Sequence, residues 1–129
     1  MSTNQYRTHK DLVAWQKAMG LAAEIHRVAP RLPRHELFGL ASQMKRAAVS
    51  IPSNIAEGAA RRTTREFLSF LYIARGSAAE LETQLLLVQD LGYLPLPDCQ
   101  RIHATADDVG RLLSAVILAL HRRLKTPSD

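Results

Sequence analysis

Apolar side chains recur every three or four residues along most of the chain, which is the spacing that places them on one face of an α-helix. The first two apolar faces consist of Trp15, Ala18, Ala22, Ile25 and Ala29, and of Leu37, Ala41, Met44, Ala48, Ile51 and Ile55. The third and fourth consist of Phe67, Leu71, Ala74, Ala78, Leu81, Leu85 and Val88, and of Ile102, Ala106, Val109, Leu113, Val116 and Leu120. We therefore expect four amphipathic helices that pack through these faces.

Prolines and a glycine separate the first two predicted helices from their neighbours. The first helix is predicted over residues 10–29 and ends at Pro30. The second begins near Pro33, because proline fits the first turn of a helix. Gly58 is a natural stop for this second helix, which we expect to end within residues 58–62.

Capping residues mark the last two predicted helices. Thr63 and Glu66 match a capping box, so the third helix should start directly after Thr63 and run to Gly92. Asp98 is the candidate N-cap of the fourth helix, which is predicted to reach Lys125.

Four such helices with short connections predict an all-α fold, an antiparallel up-down-up-down four-helix bundle. A chain of 129 residues fits a single domain, so we assign residues 1–129 to one bundle with a flexible arm (1–9) and a flexible tail (126–129). Aromatic residues make up only 5% of the chain, and we therefore expect a core built mainly from Leu, Ile, Val and Ala.

A row of polar side chains runs beside the apolar face of the second predicted helix. The row consists of Gln43, Arg46, Ser50, Asn54 and Glu57. Pro52 lies within the same helix and cannot donate a hydrogen bond to the Ala48 carbonyl. We therefore expect a kink near Pro52, with neighbouring polar side chains satisfying the groups that it frees.

Antiparallel packing around a turn near Arg62 determines which residues of the second and third helices face each other. This register brings Arg46 close to Glu80, and it brings Ser50 and Asn54 close to Gly76, where a missing side chain permits close approach. We predict an Arg46–Glu80 ion pair within a structural polar network that consists of Gln43, Arg46, Ser50, Asn54, Glu57, Ser77 and Glu80.

The third predicted helix carries a second apolar row outside its core face. Ser77 and Gln84 interrupt this row, whose apolar members are Phe70, Ile73, Leu87 and Leu91. One bundle core requires one apolar face, so the extra row indicates that another surface covers the helix. We interpret the row as an oligomer interface between copies of the chain.

The net charge of +5 is unevenly distributed along the sequence. Up to Arg65 there are 11 Lys or Arg and 4 Asp or Glu, whereas from Glu66 onward there are 6 and 8. A basic first half favours a polyanionic partner such as nucleic acid. The candidate contacts are Arg7 and Lys10 in the arm and, in the body of the chain, Lys17, Arg34, Lys45, Arg61, Arg62 and Arg65.

The cluster Arg61, Arg62 and Arg65 is the leading candidate for phosphate contact, because three guanidinium groups near one turn can reach adjacent phosphates. A solvated turn explains the same residues equally well. The helix dipole accounts for the basic residues that end the fourth helix, Arg122, Arg123 and Lys125. Binding should be electrostatic and shape-directed, because base stacking has few candidates among the tyrosines, Tyr6, Tyr72 and Tyr93.

The sequence offers little that suggests catalysis. No histidine follows a glutamate at the spacing used in di-metal bundles, and there is no phosphate-binding glycine loop or nucleophile elbow. Cys99, His103 and Asp107 share a helix face that could hold a metal or activate the thiol, but three such residues on one helix are usually unrelated surface positions. We expect no enzyme activity, no cofactor and no metal.

Several strings of residues in the first three helices resemble a known family. They are Lys10-Asp11-Leu12 with Trp15-Gln16, then Ser50-Ile51-Pro52-Ser53-Asn54-Ile55-Ala56-Glu57-Gly58, then Phe67-Leu68 with Ile73-Ala74-Arg75-Gly76-Ser77, and Glu80-Leu81-Glu82-Thr83. Over residues 10–93 the chain resembles the four-helix-bundle proteins encoded in intervening sequences of bacterial 23S ribosomal RNA genes.

The resemblance implies a cytoplasmic bacterial protein that assembles as a ring, a pentamer. It also implies kinship with the accessory proteins of diversity-generating retroelements, which bind nucleic acid and contact a reverse transcriptase. No catalytic residues come with the family.

These observations predict a non-enzymatic homo-oligomeric bundle that binds nucleic acid, RNA rather than DNA. The alternative is a protein-interaction scaffold whose charge keeps it in solution. The single cysteine is compatible with a reducing compartment, and no secretory signal is recognisable in residues 1–10. We expect no membrane attachment, because the longest dense apolar run, residues 112–120, is too short for a span and all four helices are committed to the bundle.

Overall fold

The computed structural model describes residues 8–125 and contains four α-helices over that range. They are α1 (Val13–Val28), α2 (Leu40–Ala59), α3 (Thr64–Asp90) and α4 (Leu96–Leu124). Three short 3₁₀ turns precede α1 or join it to α2: His9–Asp11, Ala29–Arg31 and Arg34–Glu36. The predicted tail (126–129) and most of the predicted arm, including Arg7, lie outside the described residues.

The helices form the antiparallel four-helix bundle that the sequence predicts. α1 packs against α2 and α4, and α3 packs against the same two helices. Side-chain hydrogen bonds fix the antiparallel directions: Ser50 of α2 contacts Ser77 of α3, and Tyr72 near the start of α3 contacts His121 near the end of α4. The end at which α2 turns into α3 therefore also holds the start of α1 and the end of α4.

Nearly all of the predicted core residues are buried. Leu37 is the clear exception, since 48% of it is exposed. Its spacing predicts a place in α2, but α2 begins at Leu40, and Leu37 lies in the preceding connection. Trp15 is only partly buried and packs against the core without lying at its centre. Leu21, which the spacing pattern did not include, is fully buried.

The beginning of α2 is set by a side chain rather than by proline. The backbone N–H of Leu40 donates to Oε1 of Glu36 at 3.0 Å, which satisfies one of the free donors in the first turn. Pro33 instead precedes a 3₁₀ turn, so the predicted start of the second helix was several residues too early.

The predicted caps of α3 and α4 had different outcomes. Thr63 caps α3 as expected: its Oγ1 accepts from the Glu66 backbone N–H at 3.1 Å and donates to the Glu66 carboxylate at 3.0 Å. The prediction for α4 was wrong, because Pro95 is the N-cap residue and no side-chain cap is formed. Asp98 lies within the first turn, where it accepts hydrogen bonds from two arginines.

The proline inside α2 is buried, and the helix continues through it from Leu40 to Ala59. Asn54 supports this segment, because its Nδ2 donates to the Ser50 carbonyl at 2.8 Å and to the Ser50 hydroxyl at 3.0 Å. The carbonyl that Pro52 leaves without its donor belongs to Ala48, so this contact supports the helix beside the proline, and satisfaction of the freed group stays a prediction. The bend itself stays a prediction from the sequence.

The close approach between α2 and α3 occurs at Gly58, not at Gly76. A Cβ atom at Gly58 would lie 2.7 Å from Phe70 Cβ and 3.2 Å from the Phe67 carbonyl oxygen. A Cβ atom at Gly76 would meet nothing within 4 Å, so the expectation for that residue was wrong. Gly58 therefore sets the distance between the two helices beside their turn.

Candidate nucleic-acid interface

Lysines and arginines of the described chain gather at the end of the bundle where α2 turns into α3. We call this region the basic end, and it consists of Lys10, Arg61, Arg62, Arg65, Arg122, Arg123 and Lys125. The acidic residues Asp11, Glu57 and Glu66 lie in the same region. The sequence pattern predicts the arginine cluster at the turn as the phosphate contact. Because α4 runs antiparallel to α3, its end brings Arg122, Arg123 and Lys125 to the same region, although the helix dipole alone could explain these residues.

The arginines of the turn differ in how they are engaged. Arg61 pairs with Glu57 at 3.5 Å, and its guanidinium carbon lies 4.7 Å from the centre of the Phe70 ring. Arg62 and Arg65 are exposed and form no ion pair within 4.0 Å in the described part of the chain. Arg62 and Arg65 are therefore available to an anion without first breaking an internal ion pair.

α4 places a further cation next to Arg65. Arg65 and Lys125 line one groove of about 490 Å³ between α3 and α4, together with Tyr72 and His121. Lys125 is exposed and, within residues 8–125, has no ion-pair partner. Two unpaired cations from helices that are distant in sequence thus meet at one surface.

The other predicted nucleic-acid contacts lie on other helices or at the other end of the bundle. Lys17 lies one turn after the start of α1, on the helix face that carries Glu24, which bonds to Arg101 of α4. Lys45 lies one turn before Val49 in α2, and Val49 lines the groove between α1 and α2. Arg34 lies in the connection between these helices, at the opposite end of the bundle.

At that opposite end, charged side chains are bonded to one another. We call this region the paired end, and its members are Glu24, Arg31, Glu36, Tyr93, Asp98 and Arg101. Asp98 accepts from Arg31 at 3.0 Å and from Arg101 at 2.8 Å, and Arg101 also donates to Glu24 at 2.9 Å. Arg101 and Arg31 hold the pKa of Asp98 below its ordinary value.

Glu36 is the second anchored carboxylate of the paired end. It accepts from the Leu40 backbone N–H and, at 2.9 Å, from the Tyr93 hydroxyl. Because both bonds favour the ionised carboxylate, the pKa of Glu36 is lowered, and the same contact raises the pKa of Tyr93. Here charge stabilises the connection into α2.

The predicted polar network between α2 and α3 forms in part. Ser50 and Ser77 share a hydrogen bond of 2.8 Å, and Asn54 joins them through Ser50. Glu57 lies outside this group and pairs with an arginine of the turn. A groove of about 460 Å³ is lined by Ser50 and Ser77 together with Gln43, Arg46, Ala47 and Glu80.

The predicted Arg46–Glu80 ion pair is absent, although both side chains line this groove. Glu80 instead accepts from Nε2 of Gln84 at 3.3 Å. Both charged residues are exposed, so water solvates each of them and little is gained by pairing. Oε1 of Gln84 is a buried side-chain acceptor without a hydrogen-bond partner in the described region.

The predicted oligomer interface on α3 is largely open in the single chain. Ile73, Leu87 and Leu91 are 52%, 46% and 49% exposed. Phe70 is different, because it packs against Gly58 and beneath the Arg61 guanidinium. Three of the four residues are therefore available to another surface.

On the helix face considered for a metal or a reactive thiol, Cys99 and Asp107 make contacts within the protein. Cys99 is buried, its Sγ donates to the Leu94 carbonyl at 3.7 Å, and burial raises the pKa of its thiol. Asp107 pairs with Arg111 at 3.1 Å. In residues 8–125, no group of three or more His, Cys, Asp or Glu is arranged to hold a metal ion.

None of the described helices is both long enough and apolar enough to cross a membrane.

Comparison with known proteins agrees with the fold and the motifs. The family model described as 23S rRNA-intervening sequence protein matches residues 10–115. The chain is also similar to the crystal structure of a protein of unknown function from the S23 ribosomal protein family of Bacteroides thetaiotaomicron VPI-5482. The two share 25% identity with a TM-score of 0.77, over 81% of this chain and 98% of the other. No curated protein matches. Because the family model spans most of the bundle, the chain belongs to the 23S rRNA-intervening sequence protein family.

Proposed function

We propose that this protein is a non-enzymatic, self-associating helical bundle that binds nucleic acid, RNA rather than DNA, through its basic end. The observation that carries the proposal is the meeting of unpaired cations from α3 and α4, represented by Arg65 and Lys125. Such groups contact phosphates and release the counterions that surround nucleic acid. The family description names an rRNA intervening sequence, which makes RNA the first ligand to test.

The test measures fluorescence anisotropy of structured RNA and of duplex DNA over a range of salt concentrations. The variant Arg61/Arg62/Arg65→Ala removes the cations of the turn. We expect its affinity at low salt to fall. The dependence of log affinity on log salt should also flatten, by about 0.7–0.9 for each phosphate that the variant no longer neutralises.

A charge-matched control separates a local site from a general effect of net charge. The variant Arg27/Arg34/Arg46→Ala removes the same three charges from exposed positions towards the opposite end of the bundle. It should keep most of the wild-type affinity. Equal weakening by both variants would contradict a defined interface, and no binding by folded wild type at low salt would overturn the nucleic-acid proposal.

Self-association is the second part of the proposal, and the open apolar row of α3 supports it. Assembly into a ring, the pentamer that the family resemblance implies, would repeat the basic end around one particle. Repetition would raise the avidity of a patch whose single contacts are weak. The mass of the assembly, measured by sedimentation or native mass spectrometry, gives the number of subunits.

The interface can be tested with Leu87→Glu/Leu91→Glu. Burying two carboxylates in an apolar contact is costly, so we expect the variant to be folded but monomeric. Leu118→Glu on α4 is the control, because Leu118 is 51% exposed and lies outside the row. A double variant that keeps the wild-type mass would remove this row from the interface.

A protein-interaction scaffold is the second candidate, and the exposure of Phe38 favours it. This side chain is 92% exposed beside Leu37, just before α2 begins. Aromatic residues, Phe included, are enriched in the buried centres of interfaces between proteins. A specific protein that co-purifies from nuclease-treated lysate with the wild type, and is lost with Phe38→Ser, would support this alternative.

A further inference from the structure

The groove between α3 and α4 contains an aromatic ring as well as cations. Tyr72 lines the groove with Arg65, His121 and Lys125, and it is 43% exposed. Nothing in the sequence pattern separates Tyr72 from the other tyrosines. The fold does so, because it places this ring inside the basic end.

Contacts from two helices hold the Tyr72 ring in position. Its hydroxyl shares a hydrogen bond of 2.7 Å with Nε2 of His121, across the groove on α4. The guanidinium carbon of Arg75 lies 5.0 Å from the ring centre. A ring that is fixed before binding loses little conformational entropy when a flat ligand stacks on it.

We propose that this groove binds one unpaired nucleotide of a single-stranded RNA segment, with the base stacked at Tyr72. The flanking phosphates contact Arg65 and Lys125, which lie in the same groove and have no internal ion-pair partner among residues 8–125. This inference rests on the proposed nucleic-acid function, and it adds a defined ligand group and a defined position within it.

The chemistry favours an unpaired base over a base pair. In a duplex, the flat faces of the bases are already stacked, whereas in loops and single strands they are free to stack on aromatic side chains or on arginine planes. Arg75 lies over the Tyr72 ring and does not line the groove, so a base that stacks on this face takes the place of its guanidinium. The groove should therefore prefer loops and single strands to duplexes.

The test compares Tyr72→Leu with Tyr72→Phe, using an unstructured RNA oligonucleotide and a duplex RNA of the same length. Tyr72→Leu removes the aromatic face, and we expect single-strand affinity to fall about fivefold to a hundredfold. Tyr72→Phe keeps the aromatic face and removes the bond to His121, so it should lose clearly less single-strand affinity than Tyr72→Leu. Duplex affinity should change little in either variant.

Salt dependence separates stacking from charge. Stacking releases no counterions, so Tyr72→Leu should lower affinity without changing the salt slope, whereas Arg65→Ala/Lys125→Ala should flatten that slope. A 2-aminopurine base in the oligonucleotide should lose fluorescence when it binds the wild type and lose less with Tyr72→Leu. Phe38→Leu is the matched control, because it replaces an exposed aromatic ring outside the basic end by leucine. It should bind RNA as the wild type does.

The outcomes distinguish failure of this site from failure of the proposed function. If the wild type binds RNA through the basic end but folded Tyr72→Leu keeps wild-type single-strand affinity, the nucleotide site is wrong and the electrostatic function stands. If the wild type binds no RNA at low salt, both proposals are overturned. Thermal unfolding of each variant shows whether the bundle is intact.

Discussion

The two ends of this bundle use charge in opposite ways. At the paired end, Asp98 joins Arg31 and Arg101, and Arg101 continues to Glu24, so charged groups link α4 to α1 and to the segment after it. At the basic end, Arg65 and Lys125 face solvent without such partners in the described chain. Packing maintains the structure there, through the close contact of Gly58 with α3. Where packing holds two helices together, surface charge remains available for a ligand.

The largest expected effect concerns the packing that holds the basic end. Gly58→Ala forces a Cβ atom to within 2.7 Å of Phe70 Cβ, so α2 and α3 must separate. We expect the free energy of unfolding to fall by about 1–3 kcal/mol in urea titrations. Gly76→Ala is the control, because that position is open and alanine favours helix; it should gain about 0.5–1 kcal/mol. Equal behaviour of the two variants would show that the basic end does not depend on close packing.

A smaller effect should follow from removing two arginines at each end in turn. Arg31→Ala/Arg101→Ala breaks the bonds to Asp98 and should lower the melting temperature. Arg62→Ala/Arg65→Ala removes cations without internal ion pairs and should leave the melting temperature unchanged or raise it slightly. Thermal unfolding at low and high salt checks this, since salt should reduce the difference between the variants. If Arg62→Ala/Arg65→Ala lowered the melting temperature more than Arg31→Ala/Arg101→Ala, the proposed difference between the two ends would be contradicted.

The smallest effect concerns pH. The pKa of Glu36 is held below its ordinary value of 4.5, first by the Leu40 N–H and then by Tyr93, so folding favours the carboxylate. The stability that it supplies is fully present above pH 4.5 and is lost as pH falls through the lowered pKa. Glu36→Gln should lower the melting temperature at pH 7 and weaken its fall on acidification. If the melting temperature of Glu36→Gln fell on acidification as much as that of the wild type, other groups such as Asp98 would determine the loss of stability in acid.

The sequence predicted best those features that depend on local spacing. Repeats of three and four residues identified most core positions of α3, from Leu71 to Val88, because a helix brings such residues to one face wherever it lies. The Thr63 cap was predictable for the same reason, since its partner is three residues away. Leu37 was misplaced because Glu36, a side chain of the connection, caps α2 later than the proline suggested.

Contacts between distant residues were predicted less well. The register placed Arg46 and Glu80 on one groove correctly, but an ion pair also depends on rotamers and solvation, and Glu80 bonds to Gln84 instead. The meeting of Arg65 with Lys125 depends on the path of α4. Basic residues at the end of a helix carry no sequence signal that distinguishes a ligand site from a response to the helix dipole.

The bond between Tyr72 and His121 also bears on when the protein can act. The two residues are 49 positions apart, so the ribosome makes α3 well before it completes α4. An unfinished chain has Arg65 and Tyr72 but neither His121 nor Lys125, and its groove has only one wall. Under the proposed binding, a nascent chain would hold RNA poorly until α4 docks. Affinity for RNA would then report that α4 has been synthesised and has packed against α3.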